Sequence, residues 1–151
     1  MTRVLDTTPL PWHRERWQQA VALFKSGSAG HAYLLSGEAD TGKRYFAMML
    51  AEYLLCRQPS AEAACARCSV CLLNAAGNNP DMLSIEPEEG SKQIKVDQIR
   101  EIRQFLETRS HGFGKRDRCA AMQAAMRLHG ARIDRHSGGY DIIAYVADHD
   151  A

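Results

Sequence analysis

Four of the five cysteines of this chain fall within sixteen residues, at Cys56, Cys65, Cys68 and Cys71. The spacing is C-x8-C-x2-C-x2-C, and the two C-x2-C steps share Cys68. Three sulfurs on one tight loop, with Cys56 closing from the end of a preceding helix, give a tetrahedron of thiolates. Zn²⁺ takes such a set at about 2.3 Å, and four protein ligands leave no open position for catalysis. The expected site is therefore structural zinc held by Cys56, Cys65, Cys68 and Cys71. Structural zinc in small peptides contributes roughly 10–16 kcal/mol to folding at neutral pH. The competing readings are buried thiols or disulfides. Against disulfides, Met-Thr-Arg-Val-Leu-Asp at the start has no apolar core of a signal peptide, and cytoplasmic thiols stay reduced. Cys119 stands apart and is read as a plain thiol.

The second chemical stretch is Gly37-Glu-Ala-Asp-Thr-Gly42-Lys43-Arg44. It is G-x4-G-K between a predicted strand and a predicted helix, the setting of a phosphate-cradling loop. Such a loop needs Ser or Thr after the lysine, because that hydroxyl holds Mg²⁺. Here Arg44 stands there, and a guanidinium cannot ligate a cation. Gly37, Gly42 and Lys43 remain candidates for nucleotide binding without turnover. The alternative is a purely structural loop, and no catalytic residue is assigned.

Both stretches need elements to position them. Pro11 suits a first helical turn, and Trp17, Ala20, Val21 and Phe24 then mark one face of a helix that Gly27 and Gly30 end. His31 to Ser36 reads as a buried strand. The helix from Lys43 to Cys56 carries Phe46, Met49, Leu50, Tyr53 and Leu54, with Met48 and Met49 taken as core filler. Leu72, Leu73 and Ala76 suggest a helical turn leaving the cysteine loop, and Asn78-Asn79-Pro80-Asp81 is turn chemistry. Met82 to Glu86 reads as a second strand, and Val96, Ile99, Ile102, Phe105 and Leu106 as an amphipathic helix through about Thr108. Ala120 to Leu128 suggests a helix and Tyr140 to Ala147 a strand.

Composition sets outer bounds. The 151 residues suit one domain, or one domain with an appendage. A net charge of +1 demands no polyanionic partner, and no apolar run is long enough to span a membrane. Lys92 to Arg116 is locally basic, with seven Lys/Arg against three Asp/Glu. That run reads as a solvated helix face before it reads as a nucleic-acid patch.

Pro11-Trp12, His31-Ala32-Tyr33-Leu34-Leu35, the Gly37 loop, Tyr53-Leu54-Leu55-Cys56, the cysteines, Asn79-Pro80-Asp81 and Ile94 to Arg100 occur in an order that resembles one family. It is the delta-prime family of the bacterial DNA polymerase III clamp loader, over residues 11–116. The resemblance implies an α/β fold: an incomplete P-loop (AAA+/RecA-like) parallel sheet with an inserted four-cysteine zinc module at residues 56–71, after a lead-in at residues 1–10. It implies a non-catalytic cytoplasmic subunit acting in DNA replication. The partners implied are gamma/tau and delta, with DNA engaged only indirectly through the complex and no membrane. The larger assembly would be a DNA-directed DNA polymerase. Gamma/tau shares the zinc module but keeps a hydroxyl after the loop lysine, so Arg44 points to delta-prime.

The likeness fades after Arg116. Residues 117–139 hold five Ala, four Arg and three Gly, a bias that a GC-rich gene read out of frame tends to yield. Residues 117–151 are therefore expected to be an unmatched tail, with the family's lid and C-terminal collar absent. Two rival classes stay in view. One is a small P-loop NTPase with a structural zinc module, resting on Lys43. The other is a zinc-knuckle nucleic-acid binder, resting on Lys92 to Arg116.

Overall fold

The structure, a computed structural model, describes residues 8–29, 32–35, 38, 40–89, 94–107, 118–123 and 142–147. A 3-10 turn, Pro11–His13, leads into α1, Arg14–Lys25. Then come β1 (Ala32–Leu35), α2 (Lys43–Leu55), α3 (Ser69–Ala76), β2 (Met82–Ile85), α4 (Val96–Glu107), β3 (Arg118–Gln123) and β4 (Ile142–Ala147).

Helix α2 is the centre of the core. Nine of its thirteen residues are buried, including every apolar position the sequence predicts for its inner face. It lies against β3 and β4 of the sheet and against α3. Trp17, Val21 and Phe24 of α1 are buried, as their spacing requires. The Trp17 ring meets Phe46 and Tyr53 edge-on, at 5.7 and 5.5 Å between centroids. Edge-to-face rings of this kind add about 0.5–1.5 kcal/mol each beyond their burial.

The four strands form one sheet in the order β1-β4-β3-β2. Strand β2 pairs parallel with β3, from Met82↔Cys119 to Ile85↔Met122. Strand β4 runs antiparallel to both of its neighbours, β3 and β1. The expectation of a wholly parallel sheet is thus corrected to a mixed one. Strands β1, β2 and β3 do point the same way, and β4 alone is reversed between them. An antiparallel neighbour needs only a chain that turns back, whereas a parallel one needs a crossover to the starting end. The sequence pattern for residues 142–147 shows a strand but carries no direction.

Three further differences are local. The helix expected from Ala120 is instead β3 through Gln123, and residues 124–128 lie outside the described residues. Small residues such as Ala120 and Ala121 suit either state, and pairing with β2 decides. Helix α3 is a full eight residues and turns Leu72 outward, 58% exposed, while Val70, Cys71, Asn74 and Ala75 face in. Cys68 and Cys71 fix that rotation, because both sulfurs must reach the cysteine cluster. Val96, placed by its spacing on the inner face of α4, is exposed, while Ile102 is buried.

The lead-in is anchored from Thr8 onward. The Tyr45 hydroxyl donates to the Thr8 carbonyl at 2.7 Å.

Candidate metal centre

The cysteine cluster is built from two helix ends and the loop between them. Cys56 is the residue at which α2 stops, its backbone extended while its N–H still bonds back to Glu52. Cys68 is the N-terminal cap residue of α3, and Cys71 lies in that helix's first turn. Ala66 adopts a left-handed conformation, φ 55°, which lets the chain double back between Cys65 and Cys68. A β-carbon resists that conformation by about 1–2 kcal/mol, so the loop holds strain that something at the cluster offsets.

The four sulfurs lie within 4.8 Å of one another. Cys65 Sγ is 3.9 Å and Cys68 Sγ 3.5 Å from Cys71 Sγ. A tetrahedron of sulfurs about 2.3 Å from a central ion has edges of about 3.8 Å. The two Cys71 separations lie close to that figure and are far above the ~2 Å of a disulfide. Backbone amides support the sulfurs: Cys65 N–H donates to Cys56 Sγ at 3.3 Å, and Cys68 N–H to Cys65 Sγ at 3.4 Å. These donors favour thiolate over thiol.

Their titration splits in two. Burial raises the Cys56 thiol, and it raises Cys71 as well, with the neighbouring sulfurs of Cys68 and Cys56 adding to it. Burial also pushes Cys65 up, but hydrogen bonds from the backbone amides of Arg67 and Cys68 and with the Cys56 and Cys68 sulfurs together outweigh it and hold that thiol at about 6. At Cys68 burial again raises the thiol, and hydrogen bonds from the backbone amides of Cys71 and Arg57 and with the Cys71 sulfur together outweigh it and lower it. The cluster thus readily ionises on its outer side and resists further negative charge on its inner side. A bound cation reverses that resistance, because thiolates are then drawn to it. Four sulfurs within 4.8 Å of one another, with amide support and no other donor type in the group among the described residues, could bind a metal ion.

The cluster is tied to the core by the indole of Trp17, whose N–H donates to the Glu62 carbonyl in the cysteine loop. Trp17 is itself 1% exposed. Its spacing marks it as core, and nothing in the sequence shows this second duty.

Of the phosphate-loop candidates, Gly37 lies outside the described residues. Gly42 caps α2 with φ 80°, and Lys43 is the first helical residue. The Lys43 ammonium donates to the Glu38 carbonyl at 2.6 Å, and Thr41 Oγ1 donates to the same oxygen at 2.9 Å. Arg44 forms an ion pair with Glu86, just beyond β2. The 3-10 turn lies against the loop: Trp12 Nε1 donates to the Thr41 carbonyl at 3.0 Å. A β-carbon at Gly42 would stand 2.8 Å from Leu10 Cδ1 and 3.2 Å from His13 Cε1. Gly42 is therefore needed for close packing of the chain's own residues as well as for its φ.

The basic run is covered only in part. Within it, Lys95 pairs with Glu88 and Arg100 with Asp97. No helix among the described residues is long and apolar enough to cross a membrane.

Residues 12–129 match the family model described as "DNA polymerase III, delta subunit". That span passes Arg116 and takes in β3. The chain is 45% identical to the DNA polymerase III subunit delta' of Pseudomonas aeruginosa over 96 residues, 64% of this chain and 28% of that protein. It is 34% identical to the delta' subunit of Escherichia coli K12 over 96 residues, 64% and 29% of the two chains. A gamma subunit of DNA polymerase III from Buchnera aphidicola is 33% identical over 79 residues, 52% and 21%. The chain thus spans less than a third of the length of these curated relatives.

Proposed function

The chain belongs to the DNA polymerase III, delta subunit family, and from that premise we propose that it is a non-catalytic, delta-prime-like part of the clamp loader. In this reading it serves DNA replication in the cytoplasm. It contacts gamma/tau and delta, touches DNA only through the complex, and helps load the sliding clamp without chemistry of its own.

The observation that carries the reading is the fate of Arg44. It occupies the position where an NTPase has its Mg²⁺-binding hydroxyl, and its guanidinium engages the Glu86 carboxylate. A loop turned toward internal contacts is also supported by the hydrogen bonds of Lys43 and Thr41 to the Glu38 carbonyl. The P-loop is a structural remnant; Gly37, Gly42 and Lys43 keep its outline without its turnover. The cysteine cluster holds one structural Zn²⁺ through Cys56, Cys65, Cys68 and Cys71. It has no free coordination position, so the metal supplies rigidity and no Lewis acid.

Size-exclusion chromatography of the chain mixed with purified gamma/tau and delta tests the proposal. Weak co-elution is expected of a chain that spans less than a third of its relatives' length, unchanged by omitting ATP or by Lys43→Ala. A chain that never joins either subunit, yet hydrolyses ATP with Mg²⁺, would refute it.

A further inference from the structure

Within the cysteine cluster one pair of sulfurs is set apart from the rest. Cys68 caps α3 and Cys71 lies in that helix's first turn, so the two form a C-x-x-C step at a helix start. Leu72 N–H donates to the Cys68 carbonyl at 3.0 Å, which closes the first helical turn around both residues. Their sulfurs stand 3.5 Å apart, nearer than the 3.9 Å between Cys65 and Cys71. A disulfide bond is about 2.0 Å long, so the Cys68–Cys71 gap closes by about 1.5 Å. Side-chain rotation within one turn supplies a movement of that size.

Access separates the two sulfurs. Cys68 is only partly covered, whereas Cys71 is 1% exposed. An oxidant in solvent reaches the first, and the second lies behind it, in position to displace what the first acquires. An accessible cysteine poised next to a resolving one is the arrangement of a redox-responsive dithiol. Cys65 is also partly covered, but its route to Cys71 crosses Ala66, held at φ 55°. Closing that gap would carry the loop along with the side chain.

We propose that Cys68 and Cys71 are a peroxide-responsive thiol–disulfide couple that opens the cysteine cluster. The Cys68 thiolate attacks one oxygen of hydrogen peroxide: the O–O bond breaks, an S–O bond forms, and hydroxide leaves. The sulfur is oxidised to a sulfenic acid and the peroxide is reduced. The Cys71 thiolate then attacks the Cys68 sulfur: the S–O bond breaks, the S–S bond forms, and a second hydroxide leaves. Each hydroxide takes a proton from solvent to become water. One peroxide thus consumes two thiolates, and an external dithiol reverses the change by exchange. Two of the four donors are then tied to each other. Cys56 and Cys65 alone are too few for a four-coordinate structural site, so oxidation releases the ion. The release rests on the structural-zinc reading above; the disulfide does not.

Trypsin provides the test, because it cuts after Arg67 and parts Cys65 from the other two. Residues 58–67 then carry Cys65, and residues 68–92 carry Cys68 and Cys71. The full chain is treated with hydrogen peroxide, its remaining thiols are alkylated, and it is digested without reductant for mass spectrometry. The expected product is peptide 68–92, unlinked, unalkylated and lighter by two hydrogens, with fragment spectra separating this change from oxygen gained at Met82. Peptide 58–67 should stay alkylated at Cys65. Dimedone present during oxidation should mark Cys68 and not Cys71. Chain stripped of metal by chelator and treated alike should form the same disulfide. Zinc is assayed before peroxide is added, so a failure of the metal reading shows there, apart from the couple. Zinc bound at the start should be lost in step with the disulfide, and dithiothreitol should restore its binding. A cross-link between peptides 58–67 and 68–92, dimedone on Cys71, or Cys68 sulfinate without a disulfide overturns the proposal. So does a disulfide that forms with no loss of bound zinc.

Discussion

Replacing Cys71 by serine is the sharpest test of the cysteine cluster. Its sulfur is 3.5 Å from that of Cys68 and 3.9 Å from that of Cys65, on a residue 1% exposed. Serine keeps the size and loses the soft anionic donor. If the bound ion contributes roughly 10–16 kcal/mol, one ligand's share is about 2.5–4 kcal/mol. The buried hydroxyl adds a polar group with no designed partner, about 1–3 kcal/mol more. For a chain of this length, 1 kcal/mol moves the melting temperature by about 2–4 °C. A fall of about 10 °C or more is therefore expected. Metal analysis by plasma mass spectrometry should show one zinc per wild-type chain and well under one in Cys71→Ser. Excess chelator, which removes the ion's whole contribution, should lower the wild type at least as far as the substitution does. Cys119→Ser, which removes the cysteine outside the cluster, should change neither quantity. Full zinc in Cys71→Ser, or a wild type indifferent to chelation, would refute the tetrathiolate assignment.

Other expectations are smaller in scale. Phosphate-release assays should find no Mg²⁺-dependent ATP turnover, and Lys43→Ala should leave that background unchanged. Gly42→Ala should destabilise by about 1–3 kcal/mol from its left-handed φ and its approach to Leu10, with partial rescue by Leu10→Ala in a double-mutant cycle. Arg44→Ala should cost well under 1 kcal/mol in urea unfolding, since both partners of its ion pair are about half exposed. Trp17→Phe should cost more than its lost area predicts, because the Glu62 carbonyl loses its indole donor, and amide exchange should quicken around residues 62–65.

The parts of the fold that follow from period and punctuation were legible in the sequence. Helix α2 buries Phe46, Met49, Leu50, Tyr53 and Leu54 because they recur on one face, and Gly42 marks its start. The gathering of the four cysteines was legible because short cysteine spacings leave few geometries. What stayed hidden depends on partners distant in sequence. The reversed β4 depends on which end of the sheet the chain returns to. The outward turn of Leu72 depends on where Cys68 and Cys71 must aim. Asn74, Asn79 and Asp81 look like a helix end and a turn, and only the folded chain shows them as a buried relay. The Arg44 pairing joins residues 42 apart, and no local pattern carries it.

The four sulfurs are unequally sheltered: Cys56 and Cys71 are sealed, while Cys65 and Cys68 are only partly covered. An ion held there can be approached from one side alone. Chelators, mercurials and oxidants would engage the outer pair first, while the helix-borne pair kept its grip. Demetallation would thus proceed through a half-released intermediate whose helices remain packed, and its rate would follow the opening of the Cys65–Cys68 turn more than unfolding of the chain.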